Sequence, residues 1–315
     1  MQHKRLSRRN FSLLAGTAAT AAALPSTTQA QNDETNSAGW IDAHVHVWTP
    51  DTTQYPLATA AGFSKADMQP PSFTAAELLD HCRPAGVKRI VLIQMSFYQY
   101  DHSYMLQVMQ DHPGVFSGVA LIDWRADNAV VRMKELAEQG MRGFRLHSHN
   151  DADQWTTEPS MGKLWRAAGE AGLAMCPLIN PTDIPHVAKL AEKFPDTTVV
   201  VDHFARVGIS GHIDPLQLDA LCGLARFPKV HVKTSAFYAL GKKQPPYDDL
   251  QPMIRRVVDA FGAKRLMWAS DCPFQVEGNH SYTASIALIR DRIDFLSADE
   301  KRAMLRDTAE RLFFQ

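Results

Sequence analysis

Eight short runs rich in β-branched and aromatic residues recur along the chain, separated by longer stretches in which apolar residues return at helical spacing. The runs are IDAHVHVW (41–48), RIVLIQMS (89–96), FSGVALID (116–123), MRGFRLHS (141–148), AMCPLIN (174–180), TVVVDHFA (198–205), VHVKTSAF (230–237) and LMWASDCP (266–273). Strands that alternate with helices run parallel, because each helix carries the chain back to where the next strand begins. Two helical stretches carry boundary signals. TAAELLDHC opens with Thr74 and Glu77 at capping-box spacing, and DNAVVRMKELAEQG closes on Gly140 at a C-cap position. Eight repeats predict one α/β domain over residues 40–315, a (β/α)8 TIM barrel, a fold that needs about 250 residues. An open doubly wound sheet is the alternative. It lacks the glycine fingerprint after the first strand, where His44-Val45-His46 stands instead.

Residues 1–30 are set apart from the fold. They begin basic, continue through a modest Ala- and Leu-rich run and end in small residues, which reads as an export signal peptide. Ser7-Arg8-Arg9-Asn10-Phe11 gives it a twin-arginine character, so a periplasmic location after cleavage near Ala30 is expected. The apolar run 11–25 is short and dilute for a membrane span, so stable insertion after cleavage is not expected; an uncleaved anchor is the alternative. Residues 31–39 read as a polar linker. Lys and Arg total 33 against 34 for Asp and Glu, so no basic footprint for nucleic acid exists and a small-molecule partner is expected. Cys82, Cys176, Cys222 and Cys272 form no C-x-x-C pair and are expected as free thiols. Nothing in the pattern speaks to oligomeric state.

In a barrel of this kind the reacting groups gather at the C-terminal ends of the strands. Those ends carry His44 and His46 on the first, Gln94 on the second, Asp123 on the third, Arg145 and His147 on the fourth and Asn180 on the fifth. His203 follows on the sixth, Lys233 and Ser235 on the seventh and Asp271 on the eighth. Residues two apart in a strand point the same way, so His44 and His46 look into one space. Each residue alone has an ordinary explanation: a hydrogen-bonded core histidine, a helix cap, an ion pair. Together, several imidazoles and a carboxylate at one rim point to a reaction centre, since each needs a partner once desolvated.

IDAHVHVW, GFRLH, VVVDHFARVG, HVKTSAFY, RLMWASDCPF and the closing DTAERLFF together resemble the amidohydrolase superfamily. Within it they resemble the branch of lactone hydrolases that includes fuconolactonase, rhamnonolactonase, sulfomuconolactone hydrolase and pyrone dicarboxylate lactonase. The resemblance runs in register from about residue 40 to the C-terminus and implies a distorted (β/α)8 barrel that catalyses hydrolysis. It also implies that His44, His46 and Asp271 bind a divalent metal or, in metal-free members, the reacting carbonyl and water, with His203 as the sixth-strand histidine. The chain departs from the metal-dependent pattern, which adds a carboxylated lysine or glutamate on the fourth strand and a histidine on the fifth. Arg145, His147 and Asn180 stand there, which argues against a binuclear site. A single zinc ion on His44, His46 and Asp271 and a metal-free site both remain open.

The expected reaction is attack of water on the carbonyl of a small lactone, a sugar lactone or an unsaturated dicarboxylate lactone. Asp271 acts as general base, and His44, His46 and His203 polarise the carbonyl directly or through the ion. Arg145 and Arg206 are candidates to anchor a substrate carboxylate, with His147, Lys233 and Gln94 as further rim candidates; an ion pair inside the barrel is the other reading of Lys233. Trp48, Phe97 and Tyr98 either line the pocket or pack, and loops 49–73 and 238–250 are expected to shape it. Rival readings are a zinc-dependent amidohydrolase, a nonoxidative decarboxylase, against which Asn180 argues, and a non-catalytic periplasmic binding protein.

Overall fold

The computed structural model describes residues 39–149 and 151–315; the expected export segment 1–30 and all of the expected linker but Gly39 lie outside the described residues. Eight parallel strands pair in chain order: β1 (Trp40–Val45), β2 (Val87–Ile93), β3 (Phe116–Leu121), β4 (Met141–His147), β5 (Ala174–Leu178), β6 (Thr198–Val201), β7 (Val230–Ser235) and β8 (Leu266–Ala269). The ring closes where the segment after β8 meets β1. Asp271 N–H donates to His44 O at 2.9 Å, and His46 N–H donates to Cys272 O at 2.9 Å. The expected (β/α)8 barrel is the fold the chain adopts.

Helices cover the outer face of the sheet. The helix Gln251–Phe261 buries Met253, Ile254, Val257, Val258 and Phe261, a stripe at three- and four-residue spacing that lies against the sheet while its charged residues face water. Ala75–Cys82 starts as the sequence predicts, with Thr74 and Glu77 in a reciprocal capping box. Inside the barrel, apolar residues such as Ile41, Ala43, Val91, Val119, Val200 and Met267 form a second core. Ala309 and Phe313 of the C-terminal helix Thr308–Phe313 join it, so that helix stoppers the end at which the strands begin.

Two departures from the sequence expectation matter for function. Every strand ends earlier than its apolar run does, so His46, His203 and Asp271 lie beyond the ladders rather than within them. The cause is local: His203 and Asp271 have φ of 50° and 67°, a left-handed conformation that no strand can continue. The second departure is in β1, where the pairing with β2 shifts register between Asp42 and Val45. Ile41 and Ala43 face the barrel interior, and strict alternation would then send His44 out with Asp42. The bulge restores it to the interior together with His46.

Candidate active site

The seam that closes the barrel also assembles the site. Asp42 points to the helix layer, where its Oδ2 accepts from the Tyr282 hydroxyl at 2.7 Å. Its Oδ1 accepts from Ser270 N–H at 2.9 Å and His44 N–H at 3.2 Å, which staples the end of β8 to the bulge of β1. Burial pushes the Asp42 carboxyl up to about 6 against these donors. The seam hydrogen bonds then set Asp271 directly across from both histidines. Asp271 Oδ1 lies 3.4 Å from Nε2 of His44 and 3.4 Å from Nε2 of His46, and the two Nε2 atoms are 3.3 Å apart. Asp271 Oδ2 faces the other way, accepting from the Tyr238 hydroxyl at 2.7 Å and lying 3.6 Å from His203 Nε2.

Donor and acceptor chemistry fixes the protons on β1. His46 Nδ1 lies 2.8 Å from the Ile93 carbonyl, which can only accept, so the neutral ring leaves a lone pair on Nε2. His44 Nδ1 lies 3.0 Å from the Lys233 ammonium, which can only donate, so the neutral His44 ring carries its proton on Nε2, between His46 Nε2 and Asp271 Oδ1. Burial, and then the Lys233 charge, hold His44 well below the usual imidazole range. Burial likewise lowers His203 to about 4, and its Nδ1 is hydrogen-bonded to Ser235 Oγ at 2.8 Å. Burial works to raise the Asp271 carboxyl too, but the imidazoles around it prevail and hold it below the ordinary carboxylate range. The base is therefore ionised at neutral pH.

His203 and Arg206 reach the site from an unusual turn. Residues His203 to Arg206 all have φ between 50° and 59°, one turn of left-handed backbone without a glycine. Such a conformation costs roughly 1–2 kcal/mol per residue. Phe204 and Ala205, both fully buried, hold it in place and leave its first and last side chains at the cavity wall. Arg206 donates to Asn180 Oδ1 at 3.3 Å, which is what the fifth-strand asparagine does here.

These groups line a cavity of about 260 Å³ at the barrel mouth, with His46, His203 and Asp271 at its floor and Arg145, Arg206, Tyr238 and Phe274 around them. Arg145 Nε lies 3.5 Å from Asp202 Oδ2, and burial followed by the like charge of Arg145 lowers Arg206 below its ordinary value. Two guanidiniums in one pocket make an anion-seeking wall. The other rim candidates are corrected. Lys233 is wholly buried beneath the site, ion-paired with Asp202 Oδ1 at 2.9 Å, because its inward position in β7 lies too deep to reach the cavity. The Gln94 amide donates to Gln99 O and Asp101 O, and so braces a loop instead of lining the pocket. His147 packs against His149, rings tilted by 48° with centroids 4.0 Å apart, in a side cleft that Arg145 also lines. Trp48, Phe97 and Tyr98 are packed in the outer core. Tyr238, Asp42 and Asp202 were not singled out from sequence. Tyr238 lies in the loop expected to shape the pocket, whereas Asp42 stands two residues before His44 and Asp202 directly before His203.

The donor set fits a metal. For bonds of 2.0–2.1 Å, neighbouring ligand atoms of a tetrahedral zinc lie about 3.3–3.4 Å apart, which is the spacing of the His44, His46 and Asp271 atoms. Asp271 Oδ1 is also a buried oxygen with no hydrogen-bond donor of its own. His203, His44 and Asp271 form a looser set with donor atoms all within 4.8 Å. Ligation by His44 asks its proton to move to Nδ1, where Asp202 Oδ1 at 3.4 Å stands ready to accept it.

The family model described as Amidohydrolase matches residues 41–315. The chain belongs to the amidohydrolase family. Membership makes it an enzyme of the hydrolase class. This amidohydrolase is 29% identical over 269 residues to an L-fucono-1,5-lactonase of Burkholderia ambifaria, covering 83% of this chain and 90% of that protein. It is 26% identical over 289 residues to a 4-sulfomuconolactone hydrolase of Hydrogenophaga intermedia, covering 88% of this chain and 89% of that protein. Among solved structures, a zinc-bound amidohydrolase from Burkholderia multivorans superposes with a TM-score of 0.72 at 19% identity, over 87% of this chain and 99% of that one. At that identity the likeness is one of fold.

Proposed function

We propose that this amidohydrolase opens the ring of a small five- or six-membered lactone, a sugar lactone or an unsaturated lactone bearing an acidic group. The observation that carries the reading is the Asp271 carboxylate, whose donor-free Oδ1 is 3.4 Å from both β1 imidazoles at the floor of an accessible cavity. That oxygen takes a proton from water held beside it, and the water oxygen attacks the carbonyl carbon. The Nε2 proton of His44, set on that atom by Lys233, meets the charge developing on the carbonyl oxygen. Arg145 and Arg206 receive a substrate carboxylate or hydroxyl and so fix the ring's orientation. His44, His46 and Asp271 are the residues that would hold a zinc ion, which would supply Lewis-acid polarisation of the carbonyl. The relatives named for lactones of both neutral and acidic kinds support the substrate class.

The test is acid release from neutral sugar lactones and from unsaturated lactones with a carboxylate, with and without a chelator. Turnover of at least one ring is expected, and the anionic group should show the lower KM. Loss of activity on chelation, restored by zinc, assigns a role to the ion; undiminished activity assigns the work to the side chains. Tight binding of every lactone tried, with no acid released, would favour a binding protein.

A further inference from the structure

Resting on the lactonase reading, we propose that Tyr238 is a catalytic residue that protonates the leaving ring oxygen, while Asp271 removes the proton of the attacking water. The two oxygens of the Asp271 carboxylate have different neighbours. Oδ1 faces His44 and His46 and accepts from no donor, which leaves it to the water. Oδ2 accepts the Tyr238 hydroxyl at 2.7 Å, and Tyr238 lines the cavity from a position three residues past the end of β7. A lactone whose carbonyl carbon lies above Oδ1 therefore has a phenol beside the same carboxylate for its other oxygen. His203, the remaining group near Oδ2, lies farther off at 3.6 Å and is tied through Nδ1 to Ser235 Oγ at 2.8 Å.

The arrangement couples the two proton transfers. While the base is ionised, its charge holds the phenolic proton in the 2.7 Å hydrogen bond to Oδ2. Once Asp271 has taken the water's proton that charge is gone. The neutral acid is a poorer acceptor, so the phenolic proton is released to the leaving oxygen. The new C–O bond to water forms, the ring C–O bond breaks, and the leaving oxygen takes the phenolic proton. A half-turn of the carboxyl about its Cβ–Cγ bond then brings the proton of Asp271 to the phenolate. One water is consumed, one hydroxy acid is released and both side chains are restored.

Tyr238→Phe in the full chain tests this on two lactones that the wild type turns over, one with an aliphatic alkoxide as leaving group and one with an aryl or enol oxygen. An alkoxide needs a proton to leave and a phenoxide or enolate does not. The expected loss in kcat is about 100-fold on the aliphatic lactone and less than about 10-fold on the other. The comparison is made within one preparation, so the fraction folded cancels. Equal losses on both would mean that Tyr238 only holds Asp271 in place, and no loss on either would leave it without a role; both overturn the inference. A wild type inert toward every lactone sinks the lactonase reading itself, and this inference with it.

Discussion

The two ends of the barrel handle left-handed backbone in opposite ways. Where the chain enters the strands, the positive-φ positions are Gly39, Gly86, Gly114, Gly140, Gly172 and Gly262. Where it leaves them, the mouth keeps some glycines but also holds every non-glycine residue of positive φ among those described: Gln99, His203 to Arg206, Ala236, Lys243, Tyr247 and Asp271. Glycine adopts this conformation at no steric cost, so the entry end turns without strain. At the mouth, His203, Arg206 and Asp271 keep their side chains and bear the strain, because an imidazole, a guanidinium and a carboxylate are needed at those points. The contrast separates backbone chosen for turning from backbone chosen for aiming.

The largest test of that contrast is Asp271→Asn. The amide preserves shape but cannot accept the proton, so kcat should fall by about 10³-fold or more with far-UV circular dichroism and Tm little changed. Near-normal turnover would remove the mouth's claim to chemistry.

Acid should expose both ends. His231, at the entry end, and His102 are each pulled by burial to about 4 in the folded chain. Their unfolded value is near 6.5, so between pH 6.5 and 4 the unfolded chain binds protons that the folded chain refuses, and stability falls as pH drops through that window. His231→Gln should flatten part of the decline of Tm with pH. An unaltered curve would place the acid sensitivity elsewhere.

The smallest effects come from exchanging glycine across the two ends. A Cβ at Gly172 would meet nothing within 4 Å, so Gly172→Ala isolates backbone strain and should cost about 1 kcal/mol with kcat unchanged. Ala205→Gly relieves a similar strain but gives up a buried methyl and adds unfolded-state freedom, about 0.8 and 0.5–1 kcal/mol respectively. Its stability should stay within about 1 kcal/mol of the wild type while kcat drops, as His203 is held less firmly. A loss of several kcal/mol in urea unfolding would show that the turn carries little strain.

The alternation of apolar runs and helical stretches made the barrel legible, because eight βα repeats leave few other ways to bury both faces of a parallel sheet. The rim rule brought out His44, His46, His203, Arg145 and Asp271, and the search for a substrate anchor added Arg206; all of them gather at the mouth or just beneath it. What escaped was depth and facing. Lys233 ends beneath the cavity on Asp202 and Gln94 turns to the Gln99 and Asp101 carbonyls, outcomes that neither residue type announces. The β1 bulge has no mark in IDAHVHVW, since it follows from how that strand closes against the segment after β8. Tyr238 follows Phe237, and nothing local says which ring packs in the core and which faces the cavity.

The closing seam has a temporal consequence. His44 and His46 are made early in synthesis and Asp271 late, and the hydrogen bonds between them are the last link of the ring. A nascent or half-folded chain thus holds imidazoles with no base to serve them, and reactivity begins only with the completed circle.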